Sequence, residues 1–197
     1  MDEIPVRSPA PQQTRWLAQF EDYARKHREE AATVALFAGF ARAHADAAER
    51  SVAVGHLTGS AWLVSADGLR TLLTHHRKLE RWLQPGGHAD GDANLARVAL
   101  REAEEESGLR DLVVESGIFD LDRHEIPARG TEPAHWHYDV RFVVRATGDE
   151  TFAVSEESHA LAWREIAEIA RDQSGYDESL RRMARKWMAR SERRDVF

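Results

Sequence analysis

Arg101-Glu102-Ala103-Glu104-Glu105-Glu106-Ser107-Gly108-Leu109 is the stretch on which the reading of this chain turns. Just upstream, Leu95, Val98 and Ala99 recur at helical spacing, so residues 94–107 are expected to form a helix that Gly108 stops. Asp90 or Asp92 is the expected cap. Continuing the apolar stripe by steps of three and four leads to Glu102, Glu105 and Glu106. A stripe that starts apolar and ends in carboxylates directs several acids to one place beside a core. Acids that close repel one another, and a hard cation relieves the repulsion; Mg²⁺ and Mn²⁺ prefer such oxygen ligands. Gly86-Gly87 lets backbone approach closely, and its carbonyls could complete an oxygen-rich site. The competing reading is a solvated acidic helix face paired with Arg97 and Arg101.

Fixed spacing separates these readings. Gly87, five residues, Ala93, seven residues and then the stretch from Arg101 to Leu109 resemble the Nudix box, G-x5-E-x7-R-E-U-x-E-E-x-G-U with U aliphatic. Every fixed position agrees except the first glutamate, where Ala93 stands. The strand-and-turn layout over residues 60–163 also resembles the Nudix domain, so the likeness covers most of the chain beyond Gly55. It implies an α/β/α sandwich with a mixed sheet. It also implies a divalent-metal-dependent hydrolase that cleaves a phosphoanhydride (pyrophosphate) bond in a nucleoside diphosphate linked to another moiety, or in a related nucleotide.

Carried over by position, the resemblance makes Glu102, Glu105 and Glu106 the metal-binding carboxylates, one of them also acting in proton transfer. Gly86 would offer a backbone carbonyl to the same ion, and Arg101 would orient a neighbouring glutamate. Glu157, preferred to Glu156 in the loop before the last strand, would be a ligand or general base. Mg²⁺ is the implied cofactor, with Mn²⁺ as the alternative. The glutamate replaced by Ala93 would ordinarily hold loop and helix together through the box arginine; Asp90 or Asp92 is expected to substitute. The alternative function is a non-catalytic, effector-binding Nudix domain, for which Ala93 would be the first sign. A diphosphate isomerase that shares the fold uses a cysteine, and this chain has none.

The remainder divides by texture. Residues 1–12 carry three prolines and read as a flexible arm, 13–54 as a helical extension, and 55–197 as the Nudix domain. Thr14 is the expected cap of a first helix bearing Trp16, Leu17, Phe20 and Tyr23. A second helix carries Val34, Leu36, Phe37 and Phe40, and the pair is read as a packing or dimerisation platform compatible with a homodimer. Strands are expected at 60–65, 69–75, 82–84, 113–122, 124–126, 136–145 and 160–163, with helices at 163–170 and 179–191. Strands mixed with a few helices, several without βαβ alternation, argue for an α+β layered domain.

A net charge of -7 opposes a broad nucleic-acid surface, which needs cationic excess. Absence of cysteine fits a reducing compartment, and residues 1–11 lack the apolar run of a secretory signal. The longest apolar stretch, residues 31–43, is too short and too polar to span a bilayer, so a cytoplasmic protein without nucleic-acid or membrane partners is expected. The expected partner is a small nucleotide or diphosphate substrate. Among the ten histidines, His75 and His76 precede Arg77 and Lys78 in a cationic loop, and His88 follows the double glycine. His135 and His137 share a strand face, as a metal pair or as exposed side chains, and Asp139 and Arg141 continue that face. Arg77, Lys78, His88, His137 and Arg141 are therefore the candidate substrate contacts.

Overall fold

The computed structural model describes residues 9–76, 80–153, 158–172 and 175–194. In chain order come α1 (Pro11–Lys26), a single 3-10 turn (Arg28–Glu30) and α2 (Ala31–Ala43). Then follow β1 (Gly55–Val64), β2 (Arg70–His76), β3 (Arg81–Leu83), β4 (Gly86–His88) and α3 (Leu95–Ser107). The chain continues through β5 (Leu112–Val114), β6 (Asp120–Ile126), β7 (His135–Ala146), β8 (Ser158–Glu165), α4 (Ile166–Arg171) and α5 (Glu178–Arg194).

β1 is the centre of the sheet, buried at all ten positions. It pairs in parallel with β7 from Gly55 opposite Trp136 to Val64 opposite Arg145. Its other edge meets β4, and near its end β2, in antiparallel register. β2 also carries β3 and β8, and β7 carries β5 and β6. The sheet is thus mixed, and helices cover both faces. Successive strand residues alternate between faces. Leu57, Ala61, Leu63, Val140, Phe142 and Val144 form one core with α1, α2 and α3. Trp62, Val64, Leu73 and Val143 form another with Leu180, Met183 and Trp187 of α5. This is the α/β/α sandwich with an N-terminal helical extension that the sequence led us to expect.

Several boundaries differ, for local physical reasons. α1 begins at Pro11 rather than behind Thr14; proline suits the first helical turn, where its missing N–H costs nothing, and Gln13 Oε1 accepts from Ala10 N–H at 2.8 Å. Asn94, not Asp90 or Asp92, caps α3 by accepting from Arg97 N–H at 3.3 Å. The closing turn expected at Pro85-Gly86-Gly87 is a strand, because Gly86, Gly87 and His88 pair with Ser60, Gly59 and Thr58. The single strand expected over 113–122 is two, β5 and β6, both paired with β7. Between them the backbone turns at Gly117 (φ 91°), while Glu115 and Phe119 still donate to Val143 and Arg141 carbonyls. The helix expected from 163 starts at Ile166, since Trp163 to Glu165 remain paired with β2.

Phe37 and Phe40, which suggested a homodimer platform, are spent inside the chain. Phe40 stacks on Tyr138 at 4.1 Å and Phe37 meets the same ring edge-on at 5.3 Å. Trp16 of α1 donates from Nε1 to the Ala93 carbonyl at 3.0 Å, tying the helical extension to the segment that leads into α3. No helix among the described residues is long and apolar enough to cross a membrane.

Candidate active site

The site is assembled where β4 crosses the last turns of α3. Leu95, Val98, Ala99 and Ala103 anchor α3 in the core, so its register is set before its acids are placed. Gly108 ends the helix in left-handed geometry (φ 69°) and donates to the Glu104 carbonyl. With the helix fixed at both ends, Glu102 and Glu106 fall next to β4, while Glu105 points largely to solvent.

β4 and α3 approach so closely that side chains are excluded from the strand. A Cβ on Gly87 would stand 2.4 Å from a Glu102 carboxylate oxygen. Gly86 donates its N–H to Glu106 Oε1 at 2.8 Å. Arg101 reaches in two directions, donating to the His88 carbonyl at 2.9 Å and to Glu102 Oε1 at 2.7 Å. Its Nε lies 4.0 Å from Glu105, whose side chain is 66% exposed. Glu102, Glu106 and Glu105 therefore range from nearly buried to solvated. Among the described residues their carboxylates do not form a group of three within 4.8 Å of one another. An all-oxygen donor set of carboxylates beside a close-packed glycine strand fits a hard divalent cation.

Ala93 removes a side chain at the mouth of α3, and other contacts hold that segment. Neither Asp90 nor Asp92 reaches Arg101 with a hydrogen bond among the described residues. Asp92 takes the Arg97 guanidinium through both oxygens (2.7 and 2.8 Å) and the Asn94 N–H, and the Arg97 hydrogen bond, the largest influence, lowers its pKa. Asp90 pairs with Arg50. Loop and helix are joined instead by Arg101 on the His88 carbonyl and by Trp16 on the Ala93 carbonyl.

The remaining candidates are scattered. Arg77, Lys78 and Glu157 lie outside the described residues. Arg141 is buried, not presented to solvent: it donates to Asp139 (2.7 Å) and Asp120 (3.1 Å), and lies 3.3 Å from Asp122. Arg182 and Lys186 of α5 join the same network on Asp120, so its charges are satisfied internally. Burial is the largest influence on the Asp120 carboxyl and would raise its pKa. The Arg182 hydrogen bond and the charges of Arg141 and Lys186 outweigh it and hold the carboxyl ionised.

His88 and His137 do come together, and with a residue that sequence reasoning passed over. His56 lies opposite His137 in the parallel β1–β7 register, and His88 of β4 pairs with Thr58 two residues along. His56 ring centroids lie 4.8 Å from His137 and 5.0 Å from His88. Burial, with the neighbouring imidazoles adding to it, pushes His56 down to about 4 and His137 down to about 2; burial also lowers His88. The pairing of His56 with His137 links residues 81 positions apart, too far for periodicity to reveal.

The sequence matches the family model of the NUDIX domain over residues 56–185. No curated protein matches the chain by sequence. Among solved structures, the MutT protein from Methanosarcina mazei Go1 is 19% identical, covering 70% of this chain and 96% of its own, with a TM-score of 0.55. A C. elegans Ap4A hydrolase in a binary complex is 18% identical, covering 69% of this chain and 97% of its own, with a TM-score of 0.54. The E. coli dihydroneopterin triphosphate pyrophosphohydrolase is 14% identical, covering 68% and 95%, with a TM-score of 0.51. At these identities the likeness speaks for the fold, while the family match spans well over half the chain. By its box, its mixed sheet and its sequence match, the chain belongs to the Nudix hydrolase family.

Proposed function

We propose that this protein is a divalent-metal-dependent hydrolase that cleaves a phosphoanhydride bond in a nucleoside diphosphate linked to another moiety, or in a related nucleotide. The observation that carries the reading is the union of β4 with α3. The Gly86 N–H engages Glu106, and Gly87 leaves room for the Glu102 carboxylate that any larger residue would displace. A solvated acidic face needs neither contact.

In this reading Glu102, Glu105, Glu106 and the Gly86 carbonyl hold the ion, with Mg²⁺ the first choice and Mn²⁺ the second. The cation supplies neutralisation of charge on the phosphate oxygens and acidification of the attacking water. Arg101 positions Glu102 and fastens it to β4 through the His88 carbonyl. Glu105, the most exposed of the three acids, is our candidate to accept the proton that the water gives up, with Glu157 as the other. Residues 55–197 are the catalytic unit, braced by α1 through Trp16 and by α2 through Phe37 and Phe40 on Tyr138.

The test is phosphate release with and without Mg²⁺ across nucleoside diphosphate conjugates and dinucleoside polyphosphates. Metal-dependent cleavage of one or more members is expected. Tight binding without turnover across the panel would overturn the proposal in favour of an effector-binding domain.

A further inference from the structure

We infer that His56, His88 and His137 form a binding site for a Zn²⁺-class transition-metal ion, separate from the carboxylates of α3. One nitrogen from each ring lies within 4.8 Å of the others. Zn–N bonds of about 2.1 Å in a tetrahedral site put ligand nitrogens roughly 3.4 Å apart, so small inward ring movements suffice. Three imidazoles with a fourth position open is an established zinc donor set.

Partner accounting points the same way. His56 is 2% exposed, and neither of its ring nitrogens has a hydrogen-bond partner among the described residues. The buried Nε2 of His137 has none either. A buried polar ring left wholly unpaired is costly, and native structures rarely tolerate it without a reason. An apolar residue would fill the His56 position without that penalty. An ion shared with His88 accounts for the unpaired nitrogens of His56 and His137 at once.

Strand alternation separates the two sites. On β4, Gly87 faces Glu102 of α3, so the side chain of the next residue, His88, points to the opposite face of the sheet. Donor chemistry separates them too. Neutral imidazoles suit Zn²⁺, Ni²⁺, Cu²⁺ and Co²⁺, whereas carboxylates and carbonyls suit Mg²⁺ and Mn²⁺. A cleft of about 200 Å³, lined by Arg50, Val52, His56, Glu132, Pro133 and His135, gives an ion a route to His56. A bound ion would join β1, β4 and β7, and so would stiffen the glycine strand that covers Glu102.

The experiment uses the full chain stripped of metal, then equilibrated with Zn²⁺ in excess Mg²⁺, with retained zinc measured after dialysis. Mg²⁺ occupies the carboxylates and leaves imidazoles untouched. One zinc per chain is expected to survive, and His88→Gln and His137→Gln should each weaken retention by more than about a hundredfold, beyond the usual cost of losing an outer-shell partner. His159→Gln, whose imidazole meets Glu80 at 3.0 Å away from the three rings, should bind as the unmodified chain does. Because the buried positions tolerate change poorly, Co²⁺ substitution in the unmodified chain provides a reading that needs no variant. Intense visible bands of tetrahedral, nitrogen-ligated Co²⁺ are expected in the presence of Mg²⁺. Zinc lost to Mg²⁺, a weak octahedral Co²⁺ spectrum, or undiminished retention in folded His88→Gln would overturn the inference. None of these readouts depends on hydrolysis.

Discussion

On α3, Glu105 keeps two thirds of its side chain in solvent and meets a single arginine at 4.0 Å. On β6, Asp120 is wholly buried and is held by Arg141, Arg182 and Lys186 together. Both regions are rich in acids and arginines, and composition alone does not tell them apart. Their surroundings give them opposite roles. The α3 acids sit at the edge of solvent: Glu105 is mostly exposed, Glu106 accepts from the Gly86 amide, and Glu102 lies against the glycine strand and accepts from Arg101. The β6 and β7 charges neutralise one another, and that network fastens α5 to the sheet. A charge that the fold has consumed cannot also bind substrate, which is why Arg141 leaves the list of substrate contacts.

Removing one partner from each region should expose the two roles directly. Arg141→Met leaves Asp139, Asp120 and Asp122 without their shared cation and should cost about 3–5 kcal/mol in urea unfolding. A loss below about 1 kcal/mol would mean that the network is ornamental. Glu106→Gln should do the reverse: kcat falls at least about a hundredfold, as when another strong electrostatic group is lost, while the unfolding midpoint scarcely moves. Near-normal turnover in that variant would sink the catalytic assignment of α3.

Acidification probes the buried network without a mutation. Asp120 and Asp122 are both held below the ordinary carboxylate value; burial, the largest influence, opposes this, and hydrogen bonds and charges from His124, Arg141 and Arg182 prevail. A depressed folded pKa contributes stability that is complete above the unfolded value, about 3.9, and is lost as pH falls through the folded one. Urea midpoints should therefore stay level in this respect down to about pH 4 and then drop steeply. The drop should be shallower in Arg141→Met, whose acids are no longer held down by that cation.

Smaller effects are expected around α3. Gly87→Ala places a methyl group against the flexible end of Glu102, so the carboxylate must turn away. Activity should fall by about tenfold, in keeping with loss of a positioned group, with stability changed by less than about 1 kcal/mol. Equal losses of both would assign Gly87 to the fold alone. The smallest effect is expected for Trp16→Phe, which keeps the ring and removes the N–H donated to Ala93. It should cost about 1 kcal/mol by thermal unfolding, the net worth of one hydrogen bond, and an unchanged midpoint would show that α1 does not brace the entrance to α3.

Local chemistry made much of this molecule readable in advance. The α3 helix, its stop at Gly108 and the alternation of β7 all follow from periodicity and backbone preference, which act over a few residues. The box acids were legible because their spacing is as fixed as the helix that carries them. Asn94 as the cap was missed because three short polar side chains competed within five residues, and only the final backbone path chose among them. The break at Gly117 was missed because both halves of that segment are apolar enough for a strand and both pair with β7.

Local sequence pattern was enough to give the layers, the helical register of α3 and the family to which its box belongs. The packing of distant strands settled which charges are buried in pairs and which stay near solvent. Parallel pairing of β1 with β7 set His56 against His137 and drew Arg141 into a closed network. The physical reason is range. Helical and strand periods order neighbours along the chain, whereas burial and charge pairing depend on which distant strands meet.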